Sequence, residues 1–398
     1  MSPARAVERV ADGLLVVTAA SLTLSITGMQ IGIGGLFGLA LLAPLLGVRV
    51  VSWTPFDGPL ALLGGTLLLS TLASGHPSEA AGWSRLWVVI GYFGVYWWLR
   101  DEARVARVWR VFVVTAIAVA LYGIVQHYTG IDWYRDLMGR PRQVAPRVAG
   151  GQGYAVVGFF SSYLTFGHAM ILPLGGLIAA AVQGTGGAMV GAGVVVTALA
   201  FSTARGAWIA VGVMVVVAGF MAPSRRTLWR LGALVALGTV VLAGSPALRA
   251  QVPPLLSLGG INAHRVAIYR ANLDIVADHP VLGLGFGRYR RAAKPYYEPY
   301  PQADRRSHAH NDILQIAAEA GLLGVVAFTF LFAFVLRAAV EAMRDPGVTR
   351  VRLFGCTLAV VGFFVGGMTQ YNFGDNEVAC SLWFTLAVLA RSLPRRST

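Results

Sequence analysis

Twelve separate apolar stretches, each about 16 to 26 residues long, run through this chain of 398 residues. They lie near residues 10–27, 30–47, 57–73, 84–99, 106–126, 156–181, 187–202, 205–221, 228–244, 312–337, 352–371 and 377–392. A helix that crosses a bilayer core of about 30 Å needs about 20 apolar residues. The pattern therefore predicts an all-α integral membrane protein of about twelve transmembrane helices, read as one polytopic domain over residues 1–398. Composition agrees: 56% of the residues are hydrophobic and 13% charged, with a mean hydropathy of +0.65, which excludes a water-soluble globular surface. The first apolar stretch begins the array and does not read as a cleavable signal. Cys356 and Cys380 both fall inside predicted spans, so neither a disulfide framework nor a cysteine metal site is suggested.

Connections on the cytoplasmic side carry the excess of Lys and Arg. With Arg5 and Arg9 placed inside, the even-numbered connections should be basic, and most are: Arg100, Arg104 and Arg107; Arg225 and Arg226; Arg344 and Arg350; and a tail with Arg391, Arg395 and Arg396. Two external connections break the rule. Residues 127–155 carry Arg135, Arg140, Arg142 and Arg147. Residues 245–311, between the ninth and tenth spans, carry Arg249, Arg265, Arg270, Arg288, Arg290, Arg291, Lys294, Arg305 and Arg306 against Asp274, Asp278, Glu298 and Asp304. Positive charge outside opposes this topology, and an anionic ligand held at the outer face would account for it. The competing explanation is a biased composition, 31 Arg to one Lys, whose arginines meet lipid phosphates indiscriminately.

The 245–311 connection is too long for a bare loop. In "NAHRVAIYRANLDIVADHP", Val266, Tyr269, Leu273 and Val276 recur at spacings of three and four, which predicts a helix with that stripe buried, Asn262 as N-cap and Pro280 beyond its end. "GLGFGRYRR", Gly283 to Arg291, places three glycines at alternate positions. Their backbone N–H groups could approach a phosphate beside Arg288, or the stretch could be a simple turn; no βαβ unit supports a dinucleotide site.

"RRSHAHNDILQIAAEAGLLG", Arg305 to Gly324, gathers polar groups where the external connection re-enters the membrane. Asn311 or Asp312 would cap the helix that follows. Capping does not account for His310, which at an aqueous interface can act as a base near neutrality. His308, His310 and Asp312 lack the i, i+4 histidine pair of helical zinc sites, so a metal is not expected. Glu319, about two turns into the span, should face the bundle interior and pair with an arginine. In "FSTARGAWIAVG", Arg205 falls in a tight external turn, where its fork suits two phosphate oxygens; the competing role is a snorkelling anchor.

These residues resemble the O-antigen ligase family, within the superfamily that also holds O-antigen polymerases and protein O-oligosaccharyltransferases. His310 and Gly321 are separated by ten residues, as in the family's H-x10-G motif. "RGAWI" is similar to its R-x3-L motif with Ile209 in place of Leu, Arg265 lies in the long outer loop, and "GFFSSYLTFGHAMILPL" from Gly158 looks like the helix after the first basic loop. The resemblance implies a GT-C-like membrane fold, with a cofactor-free, metal-independent glycosyltransferase active at the periplasmic face of a bacterial inner membrane. It implies a glycan donor on undecaprenyl pyrophosphate and a sugar hydroxyl of lipid A-core as acceptor. Arg205 and Arg265 would stabilise the leaving pyrophosphate, joined in binding it by Arg288 and Arg147. His310 would take the acceptor's proton in an inverting attack, with His308, Asn311, Asp312 and Glu319 in support. A polymerase or a protein glycosyltransferase would share this chemistry, whereas a transporter would place polar groups nearer mid-membrane.

Overall fold

The computed structural model describes residues 2–76, 87–144, 153–252, 262–303, 308–345 and 350–394. Among them the regular structure is helical throughout. Each of the twelve apolar stretches carries a helix: α1 (Pro3–Leu24), α2 (Ile26–Leu42), α3 (Asp57–Ala73), α4 (Trp87–Trp98), α5 (Glu102–Thr129), then, after the short α6 (Trp133–Leu137), α7 (Tyr163–Gln183), α8 (Ala188–Ser202), α9 (Arg205–Met221) and α10 (Arg225–Gly244). Between α10 and the last three long helices come α11 (Pro246–Arg249), α12 (Ala263–Asp278) and α13 (Tyr289–Ala292); then follow α14 (Asp312–Ala342), α15 (Arg350–Gly367) and α16 (Asn376–Ser392). Six of the described helical segments are long and apolar enough to cross a membrane: Ile26–Leu46, Glu102–Thr129, Tyr163–Gln183, Arg225–Gly244, Asp312–Ala342 and Arg350–Gly367. This is an all-helical membrane protein.

α7 is its axis, with 94% of its apolar window buried inside the protein. A hydrocarbon surround offers no hydrophobic drive between helices, so close backbone approach must hold them. Glycines permit that approach: a Cβ on Gly175 would lie 2.6 Å from Gly355 O, which locks α7 against α15. The α1–α2 hairpin closes the same way, a Cβ on Gly32 falling 2.3 Å from Thr18 Oγ1.

The two ends of the bundle differ. At one end Glu8 pairs with Arg100 (2.5 Å) and Arg104 (2.6 Å), and Arg352 pairs with Glu102 (2.7 Å), so the arginines expected inside serve as cross-links between helices. The other end carries a satellite core, in which Ile268, Ala271, Ile275, Leu284, Tyr289 and Tyr297 pack together. Asn272 Nδ2, buried there, donates to Tyr289 Oη (2.8 Å) and Ile268 O (2.8 Å). The predicted helix of the long connection is thus present as α12, but its buried face is rotated. Ile268, Ala271, Asn272 and Ile275 turn inward and Leu273 is 57% exposed; the inward face is the one on which Asn272 bonds Tyr289 and the isoleucines join the tyrosine cluster.

Candidate functional site

The site is built around a broken helix. Within α14, Gly321 has φ 63° and ψ −165°, which interrupts the helical ladder. The backbone groups freed by the break are satisfied by the segment that follows α12. Leu284 N–H donates to Ala318 O (2.8 Å) and Gly285 N–H to Glu319 O (3.0 Å), while Leu322 N–H donates to Pro280 O (2.8 Å) and Leu323 N–H to Val281 O (3.4 Å). Ser70 Oγ on α3 reaches both Leu282 O (2.8 Å) and Glu319 O (2.7 Å). Orphan backbone groups in an apolar interior cost several kcal/mol each, so this exchange is what makes the break tolerable. A Cβ at Gly321 would lie 2.2 Å from Val281 C, and one at Gly283 2.5 Å from Glu319 C. The alternate glycines therefore admit the crossing of two backbones, and the Gly283 and Gly285 N–H groups are committed to His279 O and Glu319 O.

Ten positions before Gly321, the helix begins at Asn311. Its Oδ1 caps the first turn by accepting from Leu314 N–H (3.0 Å), and its Nδ2 donates to Met368 O (2.9 Å). Asp312 is not the cap: its buried carboxylate accepts the Phe373 N–H (3.0 Å). The residue just before the cap, His310, adopts φ 53°, a left-handed conformation that costs a non-glycine residue about 1–2 kcal/mol. It is 3% exposed. Its Nδ1 lies 2.8 Å from Gln370 Oε1; an amide oxygen accepts only, so Nδ1 carries the hydrogen, and when the ring is neutral the lone pair is on Nε2. Tyr269 Oη donates to His310 O (3.3 Å), and the His308 ring stands edge-on at 4.2 Å between centroids.

Arg205 and Arg265 lie near each other, Arg265 beside Thr369 just after α15. Thr203, with φ 60°, ends α8 and turns the chain so that Arg205 opens α9. Arg205 Nη2 donates to Asn262 Oδ1 (3.1 Å), and its buried Nη1 has no hydrogen-bond partner among the described residues. Asn262 does occupy the N-cap position of α12, but its side chain serves Arg205 and makes no cap bond. Arg265 Nη1 donates to Thr369 O (3.0 Å), close enough to Arg205 for the two cations to repel. Two neighbouring guanidinium groups are the kind of arrangement that can hold a multiply charged anion. Burial raises the Tyr269 phenol above its ordinary range, against the lowering effect of Arg265, so it stays a neutral donor.

The other predicted residues fall as follows. Arg288 Nη1 donates to Leu284 O (3.2 Å) and Ser74 O (3.4 Å), on the side of the glycine-rich segment. Glu319 is 1% exposed and lies at the break, as a residue facing the bundle interior should. Arg147, Arg305 and Arg306 lie outside the described residues. In the first basic connection, Arg135 is taken up by Asp132 (3.1 Å) and Arg142 by Asp136, through Nε (2.6 Å) and Nη2 (2.8 Å). Those two arginines are neutralised locally.

The loop between α15 and α16, "MTQYNFGD" (368–375), was not singled out from sequence, yet it joins the site's halves. The stretch expected to run apolar to residue 371 ends its helix at Gly367. Asp375 caps α16 and accepts from Thr165 Oγ1 (2.8 Å), while Glu377 accepts from Ser161 Oγ (2.6 Å), which anchors the loop to the start of α7. Its signal in the sequence was a short polar run, Thr369, Gln370 and Asn372, set between two apolar stretches. His168, in α7, is buried and its Nδ1–H donates to Leu164 O (2.8 Å).

The family described as O-antigen ligase matches residues 190–329, a segment that includes Arg205, Arg265, His310 and the broken helix through Gly321. No curated protein matches the chain.

Proposed function

We propose that this chain, which belongs to the O-antigen ligase family through residues 190–329, transfers a glycan from undecaprenyl pyrophosphate to a sugar hydroxyl of lipid A-core. In this reading its twelve long helices form a GT-C-like bundle in the bacterial inner membrane, with the His310 end facing the periplasm. The observation that carries the proposal is the convergence on one loop of an oriented imidazole and two guanidinium groups, His310 through Gln370 and Arg265 through Thr369, with Arg205 adjacent.

The chemistry follows from what each group can do. The acceptor hydroxyl attacks the anomeric carbon and loses its proton to His310 Nε2, the ring atom left with a lone pair when Nδ1–H is held by Gln370. The glycosidic bond to the carrier breaks as the new one forms, and the electron pair leaves on the pyrophosphate oxygen. Arg205 and Arg265 receive that charge, a role fixed cations fill without reorganisation. Attack opposite the departing group inverts the anomeric configuration.

Transfer by the purified full chain, in EDTA, from carrier-linked glycan to lipid A-core tests the proposal. Wild-type activity with inversion, lost in a folded His310→Ala variant, is the expected result. Retention of configuration sinks the single-displacement mechanism. Joining of two carrier-linked glycans without transfer to lipid A-core makes the enzyme a polymerase.

A further inference from the structure

Three cations of the long connection have no partner among the described residues. Arg290, Arg291 and Lys294 are exposed and make no ion pair or side-chain hydrogen bond, and Glu298, four residues beyond Lys294, is exposed without pairing to it. They share one face of a short element. α13 runs on into a 3-10 turn, Lys294–Tyr297. Its inward positions recur every four residues: Tyr289, Ala293 and Tyr297 are buried in the satellite core, where Tyr289 Oη accepts from Asn272 of α12 (2.8 Å). The cations occupy the other face, Lys294 standing three and four residues from the two arginines, the spacing of neighbours on a helix surface.

The depth of this element follows from α3. Its 17 residues span about 26 Å, close to the roughly 30 Å of a hydrocarbon core. Trp53 and Thr54, just before it, share a cleft with Arg100 at the end cross-linked by Glu8, so Ser74, just after it, marks the opposite boundary. The connection climbs along that boundary. Ser70 Oγ donates to Leu282 O, and Arg288 Nη1 reaches Ser74 O (3.4 Å), about one turn or 5.4 Å further out. At the lower level Val281, Leu322 and Leu323 are exposed apolar side chains, and Phe286 is buried in the main core. Arg290, Arg291 and Lys294 follow Arg288 directly, where hydrocarbon gives way to headgroups.

We propose that Arg290, Arg291 and Lys294 form a docking surface for the phosphates of anionic phospholipids in the leaflet on the His310 side, an inference that does not depend on the glycosyl-transfer reading. Charge complementarity commits the surface to that occupant. The exposed carboxylates of α12, Asp274 and Asp278, are engaged by the hydroxyls of Tyr300 (2.7 Å) and Tyr296 (3.0 Å) and leave the three cations uncompensated at the height of lipid phosphates. Because Tyr289 joins the element to α12, which carries Arg265, such a grip holds the satellite core level on the membrane. It also accounts for positive charge kept on the side where insertion topology disfavours it.

The full chain is reconstituted in phosphatidylcholine bilayers with a trace of photoreactive phosphatidylglycerol or photoreactive phosphatidylcholine, each reactive at the headgroup, and labelling of residues 286–297 is compared. Phosphatidylglycerol should label that stretch about tenfold more strongly, and the preference should vanish in about 1 M salt, where the screening length is about 3 Å. The triple variant Arg290→Gln, Arg291→Gln, Lys294→Gln should lose the preference at low salt, while Arg225→Gln with Arg226→Gln, at the opposite end, keeps it. Equal labelling by the two lipids in wild type, or a preference that survives salt or the triple substitution, overturns the proposal. So does its loss to inorganic phosphate at constant ionic strength, which would identify a site for free phosphate. The salt and phosphate comparisons use wild type and decide the matter even where the triple variant fails to fold.

Discussion

His310 and Arg265 are tethered to consecutive residues of one loop, the imidazole to the side chain of Gln370 and the guanidinium to the carbonyl of Thr369. The proposed proton acceptor and the proposed anion-binding group thus share a support, although 44 residues of chain separate them, one lying within α12 and the other just before α14. A displacement of the loop would move both together, which preserves their mutual geometry.

Gln370 should behave as a positioning residue. Gln370→Leu removes the acceptor that holds Nδ1–H and frees the ring to adopt the wrong tautomer, so kcat should fall by about ten- to a hundredfold with KM nearly unchanged. Gln370→Glu, which restores an acceptor oxygen, should recover most of the loss. Steady-state kinetics of the two variants against wild type decide it; an unchanged kcat in Gln370→Leu removes Gln370 from the mechanism.

The arginines should divide sharply by their partners. Arg205→Ala and Arg265→Ala should each cost about a hundredfold or more in kcat/KM, and Arg205→Lys should not restore activity because an ammonium lacks the planar fork. Arg142→Ala, by contrast, removes a guanidinium already bound through two contacts to Asp136. Transfer assays on this variant should match wild type, and a large loss there would relocate the anion site.

Gly321→Ala should destabilise the fold. The new methyl would stand 2.2 Å from Val281 C at a φ of 63°, so strain and displaced backbone together should cost about 3 kcal/mol or more. Gly232→Ala, in α10 with nothing within 4 Å of the added carbon, is the control and should be neutral or slightly stabilising. Thermal unfolding of the two variants in detergent separates the effects, and equal melting temperatures would mean that the crossing at Gly321 is not fixed.

The helices were legible in the sequence because apolar length is a local property, and each of the twelve stretches does carry a helix. His310, Arg205 and Arg265 stand out in the sequence as polar groups at helix mouths against an apolar background; in the structure His310 and Arg265 bond to the 368–375 loop and Arg205 lies near Arg265. The interruption of α14 was not legible. "QIAAEAGLLG" continues the helical pattern through Gly321, and only the distant segment 280–285, by supplying matching backbone donors and acceptors, makes a break affordable there. The inward face of α12 was misjudged for a related reason: its partners come from a distant segment, where Tyr289 receives Asn272, and that pairing turns Asn272 in and leaves Leu273 outside. Gln370 was hidden because a single amide at the end of an apolar stretch looks like span interior until the helix is seen to stop at Gly367.

The break at Gly321 also gives the spacing to His310 a mechanical meaning. The crossing backbones act as a datum, and the helical residues between them and His310 act as a gauge of about 15 Å. Each residue added to or removed from that gauge would swing the imidazole by about 100° around the helix axis and shift it by about 1.5 Å, away from Gln370. What has to be held constant between the glycine and the histidine is therefore a count, a phase as much as a distance, whatever side chains fill the interval.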